Sequence, residues 1–203
     1  MEYHNTGLFA LPGGFVKKNE TLDDAVRRGL EERTGIKNIY LEQFHTFGDL
    51  ARYQPEVMEA ILKANSKDTK TLQWLLDRFI SVAYYALINY DEVVPRPDAL
   101  SDSCQWYPIK KLPKLIFDHK IIVEKAIETL RDNLDRKSVG GNLLPEKFTM
   151  KELQHVHEAI LGIKLRRTSF QRKILAADVL KRHEKRFSGK AHKAPYLYSF
   201  KNK

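Results

Sequence analysis

A glycine turn, a short polar loop, a charged amphipathic helix and a second glycine follow one another between Leu11 and Ile36, and they constrain this chain more than any other stretch. Leu8 to Leu11 is a short apolar run feeding Pro12-Gly13-Gly14. It reads as a strand ending in a tight turn, since glycines reach backbone angles closed to other residues. Thr21, with Asp24 three residues on, forms a capping-box-like start. Leu22, Ala25, Val26 and Leu30 then recur at helical spacing until Gly35, which predicts a helix over Leu22 to Arg33. Gly14, Glu20, Arg28, Glu32 and Gly35 are separated by six, eight, four and three residues.

Charge divides the rest. The formal charge is +9, and from Gly141 to Lys203 there are 15 Lys and Arg against 5 Asp and Glu, net +10, leaving −1 for residues 1–140. We therefore expect two domains, 1–140 and 141–203, parted at the Ser138-Val-Gly-Gly-Asn142 segment, with a polyanion as the partner of the second. The single Cys104 excludes an internal disulfide. No leader-like apolar run and no apolar stretch of about 18 residues is present, so a soluble, cytoplasmic protein with no membrane partner is expected.

Along the first domain, Ile39–Leu41 and Phe44–Phe47 read as short strands, and Arg78–Ile88 as the strongest strand in the chain. Ala51–Asp77 suggests two helical pieces around a polar bend at residues 65–69. Cys104–Pro108 reads as a further strand, and Asp118 as the cap of a helix carrying Ile122, Ala126, Ile127, Leu130 and Leu134 on one face. In the second domain Thr149 with Glu152 forms a capping box for a helix ended by Gly162, and Thr168 with Gln171 opens another in the same way, running to about Leu180. Val179–Phe187 and Tyr196–Phe200 then read as a hairpin around a basic turn. Two helices joined by a short turn, followed by a hairpin, form a helix-turn-helix with a wing.

Leu11 to Ile36 resembles a Nudix box, the signature of hydrolases that cleave nucleoside diphosphates linked to another group. In that family three glutamates of the helix hold Mg²⁺ against a diphosphate, and the resemblance places them at Gly29, Glu32 and Arg33 of this chain. These positions share one helix face, whose formal charge here is zero, whereas Mg²⁺ requires hard anionic oxygens. The resemblance thus implies a retained scaffold with a remnant box (Gly14, Glu20, Arg28, Glu32, Gly35), little or no hydrolysis and no required cofactor.

Over nearly its whole length the chain resembles Nudix-related transcriptional regulators of the NrtR/AraR type. The resemblance rests on Leu11-Pro-Gly-Gly-Phe-Val16, Arg78–Leu87, Leu112-Pro-Lys-Leu-Ile-Phe-Asp-His119, Asn142-Leu-Leu-Pro145 with Phe148-Thr149, and Tyr196–Phe200. It implies an α+β protein: a Nudix-like α/β/α sandwich, lacking its first strands because only ten residues precede Leu11, then a winged helix. Ala51–Asp77 would be an insertion near the sensor pocket. Also implied are a homodimer, a double-stranded DNA operator, and an effector that is a sugar or an ADP-ribose-like nucleotide.

Candidate effector-binding residues are Arg78, Tyr84, Phe117, Asp118 and His119, since phosphate or sugar ligands need charged or hydroxyl-matching groups on a rigid wall. Candidate DNA-binding residues are Arg166, Arg167, Ser169, Gln171, Arg172 and Lys173 around the third helix, and Lys181, Arg182, Lys185, Arg186, Lys190 and Lys193 on the hairpin. The competing reading is a Mg²⁺-dependent Nudix hydrolase acting on ADP-ribose-like nucleoside diphosphates, with the basic tail gripping its substrate. Gly29 and Arg33 argue against it. His155 and His157, two apart on a helix, point to different faces and make no metal site.

Overall fold

The computed structural model describes residues 1–37, 39–65, 72–89, 91, 93–134, 143–187 and 194–201. The chain forms two compact units, Met1–Ala126 and Ile127–Lys203. This division falls inside a helix, and the expected break near Gly140 lies outside the described residues. The end of that helix belongs with the second unit: Leu134 is buried, and Arg131 Nε donates to the Ile160 carbonyl at 3.3 Å.

In the first unit the opening ten residues double back on themselves. Strand β1 (Glu2–Tyr3) turns through Asn5 and Gly7, both at positive φ, so that Phe9 bridges Glu2 and Ala10 bonds back to Met1. The expected strand at Leu8–Leu11 is therefore only a pair of isolated bridges, Phe9 to Glu2 and to Leu115, because Pro12 lacks a donor and leads straight into the turn. Helix α1 (Leu22–Thr34) has the predicted capping box, and Gly35 closes it at φ 72°, the left-handed geometry that favours glycine.

Strand β2 (Glu42–Phe47) pairs antiparallel with β3 (Ser81–Tyr85). The strand expected at Ile39–Leu41 is absent, and β3 occupies only the middle of Arg78–Ile88. Between them α2 (Pro55–Ala64) buries Ile61 and Leu62 completely and packs Ile61 with Ala10 and Ile116. This helix is part of the unit's core and not an appendage; most of the bend at residues 65–69 lies outside the described residues. Strand β4 is Ser101–Ser103, paired with β1, not Cys104–Pro108. The shift follows from Asp98, which accepts hydrogen bonds from Leu100 N and Ser101 Oγ and turns the chain into the pairing immediately. Helix α3 runs over His119–Asn133.

The second unit places β5 (Phe148–Thr149) and β6 (Leu180–Lys185) on either side of β7 (Tyr196–Phe200). Helices α4 (Met150–Leu161) and α5 (Arg167–Ala176) cover this sheet. Leu144, Phe148, Leu153, Phe170, Ile174, Leu180 and Tyr198 form its core. The Thr149/Glu152 capping box and the Gly162 stop are as predicted. The box expected at Thr168/Gln171 is not formed: Arg166 is the N-cap, without a side-chain capping bond, and Thr168 lies one residue inside the helix with its side chain exposed. Among the described residues no helix is long and apolar enough to cross a membrane.

Candidate functional site

The glycine-turn and α1 segment is held together by one guanidinium. Arg28 donates through Nε and Nη2 to the two carboxylate oxygens of Glu20 (3.0 and 2.7 Å), through Nη2 to the Phe15 carbonyl (3.0 Å), and through Nη1 to Glu32 (3.3 Å). The hydrogen bonds from Arg28, then that from Lys17 N–H, hold the Glu20 carboxyl down at about 2. Glu20 and Arg28 thus serve as the struts that shape the loop. Arg33 points elsewhere: its Nη2 donates to Asp98 at 2.7 Å, in an ion pair whose side chains are 14% and 25% exposed. Arg96 N–H also donates to the Arg33 carbonyl at 2.7 Å. The third position of the remnant face has become a tie between α1 and the loop before β4, a role with no sequence signal because its partner lies 65 residues away.

The five candidate effector residues do not form one cluster. Tyr84 OH reaches Asp23 at the start of α1 (3.4 Å) and Gln43 on β2 (3.2 Å). At the other end of the β2–β3 pair, Arg78 is exposed and donates to the Gly48 carbonyl (2.8 Å). Phe117, at φ 51°, precedes Asp118, whose carboxylate pairs with Arg52 at 3.1 Å instead of capping α3. Arg52, which carries no motif in the sequence, also donates to the Phe47 and Phe79 carbonyls (2.6 and 3.1 Å). His119 Nδ1 accepts the Leu11 N–H at 3.1 Å, and burial lowers its pKa to about 4, so the ring is neutral at physiological pH. Asp118 and His119 are therefore structural anchors, tying the start of α3 to β2 and to the glycine turn.

In the second unit, Glu158 organises the turn between α4 and α5. It accepts from Leu165 N–H (2.9 Å), Gln154 (3.0 Å) and Lys164 (3.1 Å), and these bonds, in that order, hold its carboxyl down at about 2. The turn geometry fixes how α5 is presented. Phe170 and Ile174 face the core, while Thr168, Arg172 and Leu175 point away from it. Arg166, Ser169 and Lys173 lie along one flank, beside His157, and Gln171 is half-buried on the other flank. Arg167 is exposed in the first turn. On β6, Arg182 and Lys185 both lie over the Tyr196 ring, whereas Arg186 pairs with Glu152 (2.9 Å) and Lys147 with Glu184 (2.9 Å). Lys190 and Lys193 fall outside the described residues.

Comparison with known proteins accounts for both units. The NUDIX domain model matches residues 2–129, and the NrtR DNA-binding winged helix domain model matches residues 140–200. The chain belongs to the NrtR family. It is similar to the crystal structure of Shewanella oneidensis NrtR, with 31% identity, a TM-score of 0.64, and 96% of this chain and 81% of that one covered. The same protein complexed with a 27mer DNA matches at 31% identity and TM-score 0.64, covering 96% of this chain and 80% of that one. In sequence it is 29% identical to the ADPR responsive transcriptional repressor NtrR of Acinetobacter baylyi, over 98% of this chain and 72% of that protein.

This NrtR-family protein is a ligand-responsive DNA-binding regulator whose Nudix unit has lost the donor set of a Mg²⁺ site. Gly29 offers no side chain, the Glu32 carboxylate is engaged by Arg28, and Arg33 brings a cation that is committed to Asp98. Among the described residues no group of three His, Cys, Asp or Glu could hold a metal. The residues present do not fit the ion.

Proposed function

We propose that this regulator is a cytoplasmic homodimer that binds operator DNA through α5 and the β6–β7 wing, and that an ADP-ribose-like nucleotide or a sugar bound to the Nudix unit alters that binding without Mg²⁺. The observation that carries the reading is the division of labour between the two units. In one, each position of the metal face is either bare or engaged in an ion pair; in the other, exposed cations line the presented helix and the adjoining strand. Arg172 and Thr168 are the base-reading side chains, and Arg167, Arg182 and Lys185 contact phosphate. Tyr84, beside Asp23 and Gln43, faces the effector, whereas Arg78 lies at the far end of the β2–β3 pair and Phe117, Asp118 and His119 anchor the start of α3. The ADPR responsiveness stated for the Acinetobacter baylyi relative supports a nucleotide as the first effector to test.

The test is a gel shift of the full chain on its own upstream region, with and without ADP-ribose and arabinose, in EDTA. Salt-sensitive binding that one ligand alters in EDTA is the expected result. Binding that is absent, or a ligand effect that appears only with Mg²⁺, overturns the reading. Turnover of ADP-ribose that Glu32→Gln abolishes would restore the hydrolase alternative.

A further inference from the structure

Strand β6 carries its cations out of phase with an ordinary strand. Side chains three residues apart on a regular strand point to opposite faces. Here the register against β7 slips between Arg182 and Lys185: Arg182 opposes Tyr198 and Lys185 opposes Tyr196, so three steps on β6 span two on β7. Such a bulge turns one residue's worth of chain out of the ladder. Both cations consequently share a face and converge on one ring, with the Arg182 guanidinium carbon 4.8 Å and the Lys185 Nζ 5.2 Å from the Tyr196 centroid.

The surrounding carboxylates are otherwise engaged. Glu184, between the two cations in sequence, pairs with Lys147, and Glu152 pairs with Arg186. Among the described residues Arg182 and Lys185 form no carboxylate ion pair, and Tyr196 is 40% exposed. Two like charges over one exposed ring repel each other, and an anion between them relieves the repulsion while the negative face of the ring fixes the spacing. We infer that Tyr196 is a positioning residue, which with the β6 bulge seats Arg182 and Lys185 as a two-cation clamp for one stretch of duplex phosphate. This rests on the winged helix being the DNA-binding unit, and it adds a residue whose own side chain is not a phosphate ligand.

The experiment follows binding of the full chain to a labelled random-sequence duplex as a function of salt, by fluorescence anisotropy, alongside the melting temperature of each variant. Each lost phosphate contact lowers the slope of log K against log salt by about 0.9. Arg182→Gln with Lys185→Gln is expected to lower it by about 1.8 and Tyr196→Leu by about 1. Tyr196→Phe, which keeps the ring, is expected to match the wild type. In the Arg182→Gln, Lys185→Gln background, Tyr196→Leu is expected to change nothing further. An unchanged slope in Tyr196→Leu, or an equal effect of that substitution in the doubly substituted background, overturns the proposal. Should Tyr196→Leu fail to fold, the double glutamine variant decides alone, and an unchanged slope there overturns it. A wild-type chain that does not bind duplex DNA overturns the winged-helix reading as well, whereas a clamp failure leaves wild-type binding intact.

Discussion

Mild acid should loosen the Nudix unit through one imidazole. His119 is half-buried, with its Nδ1 lone pair accepting the Leu11 N–H, the bond that anchors the glycine turn to the start of α3. Burial, with help from the charges of Arg52 and the amino terminus, lowers its pKa from 6.5 to about 4, against the opposing pull of Asp118. An unfolded chain takes up this proton near 6.5 and the folded chain only near 4, so between those values the unfolded state binds more protons. Stability is full above 6.5 and falls as the pH drops. Each tenfold difference in proton affinity between the two states is worth about 1.4 kcal/mol, so the whole window amounts to about 3 kcal/mol, of which about 2 kcal/mol is lost by about pH 5. Glu20 and Glu158, held at about 2, add their own acid loss in the same direction only below their ordinary carboxyl range, near 4.5. The interval from about pH 6.5 to about pH 5 therefore belongs to His119 among these three groups. The assay is urea unfolding read by tryptophan fluorescence, since Trp74 and Trp106 both lie in the first unit. His119→Gln keeps an acceptor for Leu11 but cannot titrate, and its stability should be flatter over the interval by about 2 kcal/mol. Equal slopes in the two proteins would refute the reasoning.

Three further outcomes test other parts of the structure. Gly29 lies mid-helix, and a Cβ built there meets nothing within 4 Å, so Gly29→Ala should stabilise the protein by about 1 kcal/mol in the same unfolding assay. Asp98→Ala should cost about 3 kcal/mol by leaving Arg33 charged and largely buried, while Arg33→Met with Asp98→Ala should recover much of that loss. Arg172→Ala should narrow the preference for operator over random duplex, and Arg167→Ala should lower the salt slope by about 0.9 in anisotropy titrations, whereas Arg186→Ala, already paired to Glu152, should change the slope less.

What the sequence made legible was local. Thr21 with Asp24 and Thr149 with Glu152 cap their helices as read, and Gly35 and Gly162 end them, because these motifs join residues three or four positions apart. Thr168 with Gln171 has the same pattern and caps nothing; the chain enters α5 at Arg166, from a turn dictated by Glu158 and Leu165. Partners distant in sequence were hidden. Arg52 looks like any surface arginine until Asp118, Phe47 and Phe79 gather around it, and Arg33 looks like a bare loss until Asp98 arrives. The same applies to α2, which an apparent insertion supplies to the core. The basic wing was legible as charge, but the convergence of Arg182 and Lys185 on Tyr196 depends on a bulge that composition does not encode.

The tie between Arg33 and Asp98 also bears on how this family branch can change over time. Restoring a glutamate at position 33 would set a second carboxylate against Asp98, with Leu100 and Ser101 already bound to that residue. Arg33→Glu thus leaves two adjacent acids without their cation and loosens the loop before β4. At Gly29, by contrast, an added Cβ meets nothing within 4 Å. One position of this helix face is therefore locked by a long-range ion pair, and the other stands open to a side chain.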